Sequence, residues 1–351
     1  MSPIQPAVSR LRAYWRFIVA VVWFFVARSL ALREARLLVN EQWRPLVEQA
    51  MLLALLLVGY ASMGLTLDRQ QNPVSEQGLS RRSGWKSEAG LGMAVGWALA
   101  VACVLPMLVG GGIAIVLFLG PSAWGWLAVD AAFFALLALA EEVAFRGYGF
   151  QRFAESVGSL GAVLGYAAFY AIVQGLVPGS LQLVPGSSRS SVAVSIVLSL
   201  VLSTAYLRTR ALWVSWGINF GWKASRALLF GLAVSGVSSH SPVVQGNPMG
   251  PFWLTGGGFG LDGSWVAFVV LLAALPVVYR VTRDLDFRYN APVIVSGGIP
   301  VDLDAAARRQ HEAAMGASEA ATPGLVQILP VAAPPRAGSE PSSVDRTNAA
   351  G

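Results

Sequence analysis

The sequence predicts an all-α, polytopic membrane protein: a helical bundle of 7–8 transmembrane spans around a central polar cavity. Hydrophobic residues make up 55% of the 351 residues and charged residues only 13%, whereas an ordinary soluble domain has about 25% charged residues. Several apolar runs reach the roughly 20 residues that an α-helix needs to cross the hydrocarbon core of a bilayer. A few charged residues lie inside these runs, and such residues normally face the interior of a bundle.

Seven apolar runs are long enough to be spans. They are residues 49–66, 91–119, 124–143, 158–177, 190–207, 212–236 and 263–280. An eighth candidate, residues 17–32, has an apolar centre of only about eleven residues, which fits an interfacial segment better than a span. It becomes a full span if Arg28 and Arg33 extend their charged ends to the membrane surface.

Composition divides the chain into three parts. Residues 1–48 form a basic N-terminal segment, either interfacial or containing the first span, and residues 49–289 form the transmembrane domain. Residues 290–351 are rich in Pro, Ala, Gly and Ser without periodicity, which predicts a largely disordered tail. Within that tail, residues 302–315 are predicted to form a short helix.

The distribution of basic residues predicts the orientation. If residues 17–32 cross the membrane, the larger basic set lies on one side: Arg10, Arg12, Arg16, Arg69, Arg81, Arg82, Lys86, Arg146, Arg152, Arg208, Arg210, Arg280, Arg283 and Arg288. The smaller set on the other side is Arg28, Arg33, Arg36, Arg44 and Arg189. By the positive-inside rule the larger set is cytoplasmic, so both termini are inside. If residues 17–32 lie on the surface, only the N-terminus changes side.

These charges predict where the protein resides. The net charge of +6 is explained by membrane topology, so membrane lipid is the expected surrounding and no nucleic-acid partner is expected. We expect an integral protein of a bacterial cytoplasmic (inner) membrane, with the side that carries Arg146 facing the cytoplasm.

Two adjacent glutamates mark the candidate site. Glu141 and Glu142 lie in an otherwise apolar stretch, residues 127–150, and Arg146 follows Glu142 one helical turn later on the same face. A charged side chain at the centre of a membrane helix costs about 2.5–3.5 kcal/mol on insertion scales, so such residues usually have a function.

Three segments resemble the CAAX prenyl protease 2-like family of intramembrane proteases, also called the CPBP or abortive-infection family. They are EEVAFR (141–146), which fits the pattern EExxxR, FYAIVQG (169–175), and LWVSWGINFGWKASRALLFGLAVSG (212–236), which is followed by WLTGGGFG (253–260). The resemblance covers roughly residues 90–280. It implies a helical bundle with a conical cavity open to the cytosol and the membrane. The implied activity is endoproteolysis near the C-terminus of prenylated proteins, or of bacterial peptides and partners.

The resemblance also implies a catalytic set, from which this chain departs. In the family, the first glutamate and a histidine ending the motif FxxxH activate water, and a histidine and an asparagine of the third motif stabilise the oxyanion. Here Gln174, Asn219 and Lys223 stand at those three positions, with Tyr170 at the aromatic position of FxxxH. The candidate catalytic positions are therefore Glu141, Glu142, Arg146, Gln174, Asn219 and Lys223.

The replacements differ in their chemical consequences. Gln174 cannot exchange a proton and is a poor metal ligand, whereas the amide of Asn219 could still serve in an oxyanion hole. The Lys223 ammonium is predicted to lie within about 4 Å of Glu141 or Glu142, because either buried charge alone is costly. Such a cation repels a divalent metal. No cofactor is expected, and zinc would bind only if the altered site still accepted it.

Three functions remain open from the sequence. The first is a pseudoprotease that binds a membrane peptide or protein, and the second is an active endopeptidase using Glu141 with an amide oxyanion hole. The third is a transporter or lipid-handling protein, so whether the protein is an enzyme is left undecided. Among the remaining polar residues, Asp130 is predicted to be interfacial, His240 exposed in a loop, and Arg226 a structural ion-pair partner.

Overall fold

The computed structural model of the protein describes residues 7–118, 120–176, 188–285, 293–294 and 300–301. The chain divides into two units, Met1–Ala291 and Pro292–Gly351. The described helices are α1 (Ala7–Leu38), α2 (Arg44–Leu67), α3 (Trp85–Val109), α4 (Pro121–Arg146), α5 (Tyr148–Val157), α6 (Ser159–Gly175), α7 (Arg189–Thr209), α8 (Leu212–Ala224), α9 (Phe252–Thr255) and α10 (Trp265–Val281).

The structure confirms an all-α membrane protein. Five helical segments are long and apolar enough to cross a membrane: Ser9–Leu38, Arg44–Leu67, Trp85–Val109, Ala123–Val157 and Arg189–Thr209. Two further apolar helices, α6 and α10, have 17 residues each. The predicted spans 49–66, 124–143 and 190–207 lie within α2, α4 and α7. The total of 7–8 spans stays a prediction.

The N-terminal helix α1 is much longer than its apolar centre suggested. It has 32 residues and packs against α2 and α5. The Trp23 indole donates a hydrogen bond to the Leu55 carbonyl at 3.1 Å. The rings of Phe17 and Phe153 stack with their centroids 4.4 Å apart. Residues 17–32 are therefore part of a helix that meets the length and hydropathy of a span.

Glycines bring α3 and α8 into backbone contact. A Cβ atom on Gly92 would lie 2.3 Å from the Val214 carbonyl oxygen, and one on Gly96 would lie 2.3 Å from a carbonyl oxygen one turn later in α8. On the other side, Cβ atoms on Gly217 and Gly221 would lie 2.3 and 2.5 Å from carbonyl oxygens of α3. Small residues at this spacing allow helices in membranes to approach closely. The contact fixes the position of α8, which carries two candidate site residues.

The predicted span 91–119 is wrong at its C-terminal end. Helix α3 ends at Val109, and residues Ile113–Leu117 form strand β1, which pairs antiparallel with β2 (Val244–Pro248). Gly111 has a positive φ of 72°, a conformation that glycine adopts at little cost and that cannot continue a helix. Because the partner of β1 is β2, a segment distant in sequence, the apolar run alone wrongly predicted that the helix continues to residue 119.

The predicted span 212–236 also stops early. After α8 the chain makes one π-helical turn, Ser225–Leu229, and then leaves the helix. Gly231 has φ of 64°, and a Cβ atom there would lie 2.4 Å from the Val244 carbonyl oxygen of β2. The close approach of β2 therefore excludes a continuing helix.

In the second unit the described residues form a short antiparallel pair, β3 (Val293–Ile294) with β4 (Pro300–Val301). The helix predicted at 302–315 and most of the predicted disordered tail lie outside the described residues. The boundaries of the three predicted domains stay predictions.

Candidate functional site

The Glu141 carboxylate on α4 is paired with Lys223 on α8. The Lys223 ammonium lies 2.5 Å from each of the two carboxylate oxygens. The Lys223 side chain is 4% exposed and that of Glu141 is 11% exposed. The predicted salt bridge is thus confirmed, and its acidic partner is Glu141.

Three neutral donors complete the surroundings of this carboxylate. On α6, the Gln174 amide donates to Oε1 at 3.0 Å and the Tyr170 hydroxyl to Oε2 at 3.4 Å. On α8, the Asn219 amide donates to Oε2 at 2.8 Å. A carboxylate offers about four lone-pair sites, and with Lys223 on both oxygens all of them are engaged. A water molecule could reach a basic lone pair of Glu141 only by displacing one of these donors.

Glu142 lies in a separate environment and is less exposed to solvent than Glu141. Its side chain is fully buried, with Arg146 Nη1 3.4 Å and Asn219 Nδ2 3.2 Å from Oε1. The same guanidinium donates through Nη2 to the Ser199 carbonyl at 3.2 Å and the Ser199 hydroxyl at 2.9 Å. Arg146 was counted as a cytoplasmic residue from the sequence, but it is fully buried and joins α4 to α7.

Arg226 forms a third buried ion pair, as predicted, but with a partner that the sequence did not indicate. Its Nη1 lies 2.7 Å from Asp262 Oδ1. Asp262 Oδ2 accepts from the Ser235 amide at 3.0 Å and the Ser235 hydroxyl at 2.8 Å. Burial raises the pKa of Asp262, but the Arg226 charge and these hydrogen bonds outweigh it and hold the pKa below its usual range. The pair joins the loop before α10 to the π-helical turn that follows α8.

The prediction of an exposed His240 is correct only in part, because its side chain is partly covered. Asp130 is buried within the protein, at 1% exposure, and its interfacial position stays a prediction. His240 is only 32% exposed, because its Nδ1 lies 2.9 Å from Asp130 Oδ1 and its ring stacks on Trp126 at 6.0 Å. Asp130 Oδ2 also accepts from the Ser241 amide at 2.7 Å. The carboxylate is buried because this loop folds back over α4.

A cavity of about 640 Å³ reaches Glu141. Its polar base comprises Glu141, Gln174 and Lys223. Its apolar wall includes Phe24, Phe133, Phe134, Leu137 and Phe145. Its charged rim, at the end where α1 passes into α2, comprises Arg28, Glu41, Arg44, Glu48 and His240.

The six candidate residues therefore form two groups. Glu141, Gln174 and Lys223 line the cavity, whereas Glu142, Arg146 and Asn219 are buried behind it. We expected Glu141, Glu142, Gln174, Asn219 and Lys223 to meet in one cavity from three helices. The hydrogen bonds to Glu141 bring α4, α6 and α8 together, but Glu142 and Asn219 do not line the cavity, because both are fully buried behind it. A catalytic role for any of the six stays a prediction.

The donor set does not fit a zinc ion. Both Glu141 oxygens contact an ammonium, and the neighbouring Gln174 and Asn219 amides are poor ligands beside imidazole or thiolate. Across the described residues, no three or more His, Cys, Asp and Glu side chains are grouped to hold a metal.

Comparison with known proteins supports the resemblance. Residues 122–225 match the family model described as Rce1-like, type II CAAX prenyl endopeptidase Rce1-like. No curated protein and no solved structure matches the chain at a significant level. The five apolar helices and this match define the class: an integral membrane protein that is CAAX-protease-like. The matched segment contains all six candidate residues and confirms the family resemblance.

The sequence reasoning missed several participants in these networks. The Tyr170 hydroxyl could have been found, because Tyr170 lies one helical turn before Gln174 on the same face. Ser199, Asp262 and the Asp130–His240 pair gave no local signal, since each depends on a contact between segments distant in sequence.

Proposed function

We propose that the protein is a pseudoprotease, which retains the Rce1-like site but binds a membrane peptide or protein in its cavity without cleaving it. The observation that carries this proposal is the contact of the Lys223 ammonium with both oxygens of Glu141. An ammonium in contact with both oxygens occupies lone pairs of the carboxylate. A glutamate-dependent protease needs such a lone pair to be open, because its glutamate must take a proton from water.

The other replaced positions support the same conclusion. Gln174 has no titratable group with which to take part in proton transfer. The Asn219 amide nitrogen donates to Glu141 and Glu142, so it is not free to stabilise an oxyanion as the alternative mechanism requires. Both groups therefore act as fixed partners of the two carboxylates.

The cavity itself supports binding. Its volume of about 640 Å³ lies within the roughly 300–1,000 Å³ that is usual for ligand sites. An apolar wall with a charged rim suits a segment that is partly in the bilayer and partly outside it. We place the protein in a bacterial cytoplasmic membrane, in contact with membrane lipid and with both termini inside, as the basic residues predict.

An active endopeptidase is the second candidate, because Glu141 keeps 11% exposure toward the cavity. Reconstituted full-length protein should be incubated with farnesylated CAAX peptides and with transmembrane peptides, and the products measured by mass spectrometry. We expect no cleavage by the unmodified protein. Cleavage that is lost in Glu141→Gln would contradict the proposal and establish the active enzyme.

A gain-of-function variant extends the test. The triple variant Gln174→His, Asn219→His and Lys223→Asn restores the residue types that the family uses. Cleavage by this variant, and not by the unmodified protein, would show that the scaffold is competent and that the three side chains suppress activity. Adding Glu141→Gln to the triple variant is the matched control and should abolish that cleavage.

A further inference from the structure

The Gln174 amide is held in one orientation at the base of the cavity. Gln174 lies in the last turn of α6, and its side chain is half-buried. The amide nitrogen donates its two hydrogens to Glu141 Oε1 at 3.0 Å and to the Tyr170 hydroxyl oxygen at 2.8 Å. A reversed amide would place its carbonyl oxygen against the carboxylate oxygen, where no hydrogen is available to join them. The two contacts therefore fix which end of the amide faces Glu141.

This orientation leaves the carbonyl oxygen of the Gln174 side chain available. Among the described residues, none donates a hydrogen bond to Gln174 Oε1. The Asn219 Oδ1 atom also lacks a donor there, but it is buried behind the cavity. Gln174, by contrast, lines the cavity. Of these two amide oxygens, only that of Gln174 can be reached by a ligand.

The base of the cavity carries no net charge. The Lys223 ammonium contacts both oxygens of Glu141, so the two formal charges cancel. The wall beside this base is apolar and includes Phe133 and Leu137. A charged ligand group would be buried there without a counterion of its own, which is costly. An uncharged N–H or O–H group would pair with the free oxygen and add no charge.

We propose that Gln174 is a ligand-binding residue, whose side-chain carbonyl accepts a hydrogen bond from a backbone N–H of the bound peptide. This inference rests on the proposed function, in which the cavity holds a segment of a membrane peptide or protein. Within a continuous α-helix the N–H groups are already bonded to carbonyls one turn earlier, and only those of the first turn are free. The bound segment is therefore extended or unwound where it meets Gln174.

A backbone N–H needs this acceptor more than a side-chain hydroxyl does. The hydroxyl of a serine or threonine in a helix can donate to the backbone carbonyl one turn earlier. A backbone N–H of an unwound segment has no such partner within its own chain, and leaving it unpaired in an apolar cavity is unfavourable. Irregular backbone is tolerated at membrane depth where protein encloses it. The Gln174 carbonyl supplies the acceptor that such a segment lacks.

Two amphiphilic probes that differ by a single N–H test the hydrogen bond. N-decylacetamide carries a secondary amide, and N-decyl-N-methylacetamide carries a tertiary amide without an N–H. Calorimetry measures their binding to the full-length protein in lipid nanodiscs, and empty nanodiscs give the blank for partition into lipid. We expect the secondary amide to bind about 5–10-fold more tightly, as one neutral hydrogen bond provides.

Substitutions at the base separate ligand recognition from structural support. Gln174→Met should remove the preference between the two amides, because a thioether is only a weak acceptor. Tyr170→Phe is the matched control: it removes a hydroxyl from the same network but keeps the Gln174 carbonyl, so the preference should remain. Leu137→Trp narrows the cavity and should weaken the binding of both probes. A general loss of stability does not change the ratio of the two affinities.

Several results would overturn the inference. They are equal binding of the two amides to the unmodified protein, binding of neither, and a preference that survives Gln174→Met. Unchanged binding in Leu137→Trp would place the probes outside the cavity and would also overturn it.

The experiment separates this inference from the proposed function. Peptide cleavage by the unmodified protein would overturn the pseudoprotease proposal and leave the ratio of the two amide affinities unaffected. Equal affinities together with an absence of cleavage would overturn only the role of Gln174.

Discussion

Lys223 and Glu141 form an ion pair deep in the bundle, with the ammonium 2.5 Å from both carboxylate oxygens. Lys223→Ala should lower the free energy of unfolding by about 3 kcal/mol, because it leaves a largely buried carboxylate without its cation. This is the lower end of the range for buried pairs, since Glu141 faces a cavity. Thermal unfolding in detergent measures the loss.

The matched control removes both charges. Lys223→Met combined with Glu141→Gln should be closer in stability to the unmodified protein than Lys223→Ala is, because no buried charge is left alone. Equal stability of Lys223→Ala and the unmodified protein would mean that the pair contributes nothing to folding.

The glycine contact between α3 and α8 predicts a position-specific effect. Gly92→Ala should destabilise the protein by about 1–3 kcal/mol, because its Cβ atom would overlap a backbone carbonyl that cannot rotate away. Gly90→Ala is the control on the same helix: a Cβ atom there meets nothing within 4 Å. That variant should be neutral, or more stable by up to about 1 kcal/mol. Melting temperatures of the two variants should therefore shift in different directions or to clearly different extents.

The Asp130 carboxylate holds the loop that follows α8. Asp130→Ala removes the acceptor of both His240 and the Ser241 amide, so hydrogen exchange across residues 237–243 should become faster. His240→Ala leaves the Ser241 hydrogen bond in place and should have a smaller effect. The proposed loop attachment fails if exchange there is the same in Asp130→Ala as in the unmodified protein.

The Asp262–Arg226 pair predicts a dependence of stability on pH. Because the folded-state pKa of Asp262 is depressed, the pair stabilises the protein above the unfolded pKa of about 3.9 and loses that contribution as pH falls through the folded pKa. Asp262→Asn should therefore lower the melting temperature at neutral pH, and the difference from the unmodified protein should narrow below about pH 4. A difference that stays constant from pH 7 to pH 3 would contradict this assignment.

Most of the fold could be predicted from local hydrophobicity, but the ends of two helices could not. The runs that became α2, α4 and α7 were correct because each is bounded by polar or helix-ending residues. The runs beginning at 91 and 212 were extended too far, since strands β1 and β2 use backbone groups more than a hundred residues apart. The hydrophobic pattern of either segment alone does not show that it pairs with the other.

The residues of the site that belong to the sequence motifs could be predicted, whereas their partners from other segments could not. The motif alignment and the cost of a lone buried charge correctly placed Lys223 beside a glutamate. Asn219, one helical turn earlier on the same face, also contacts Glu141. The choice of Glu141 over Glu142 could not be made, because adjacent residues on a helix point about 100° apart and the sequence does not say which one faces α8. The acidic partners of Arg226 and His240 come from segments packed only in the folded chain.

The backbone contact at Gly92 and Gly217 has a consequence for the evolution of this protein. Backbone carbonyl groups set the distance between α3 and α8, and the side chains of residues 219 and 223 take no part in that contact. Exchanges at these two positions alter the chemistry without altering where it takes place. A bundle assembled in this way can keep its architecture when substitutions remove its reaction. A few reverse substitutions can then restore the reaction within the same architecture.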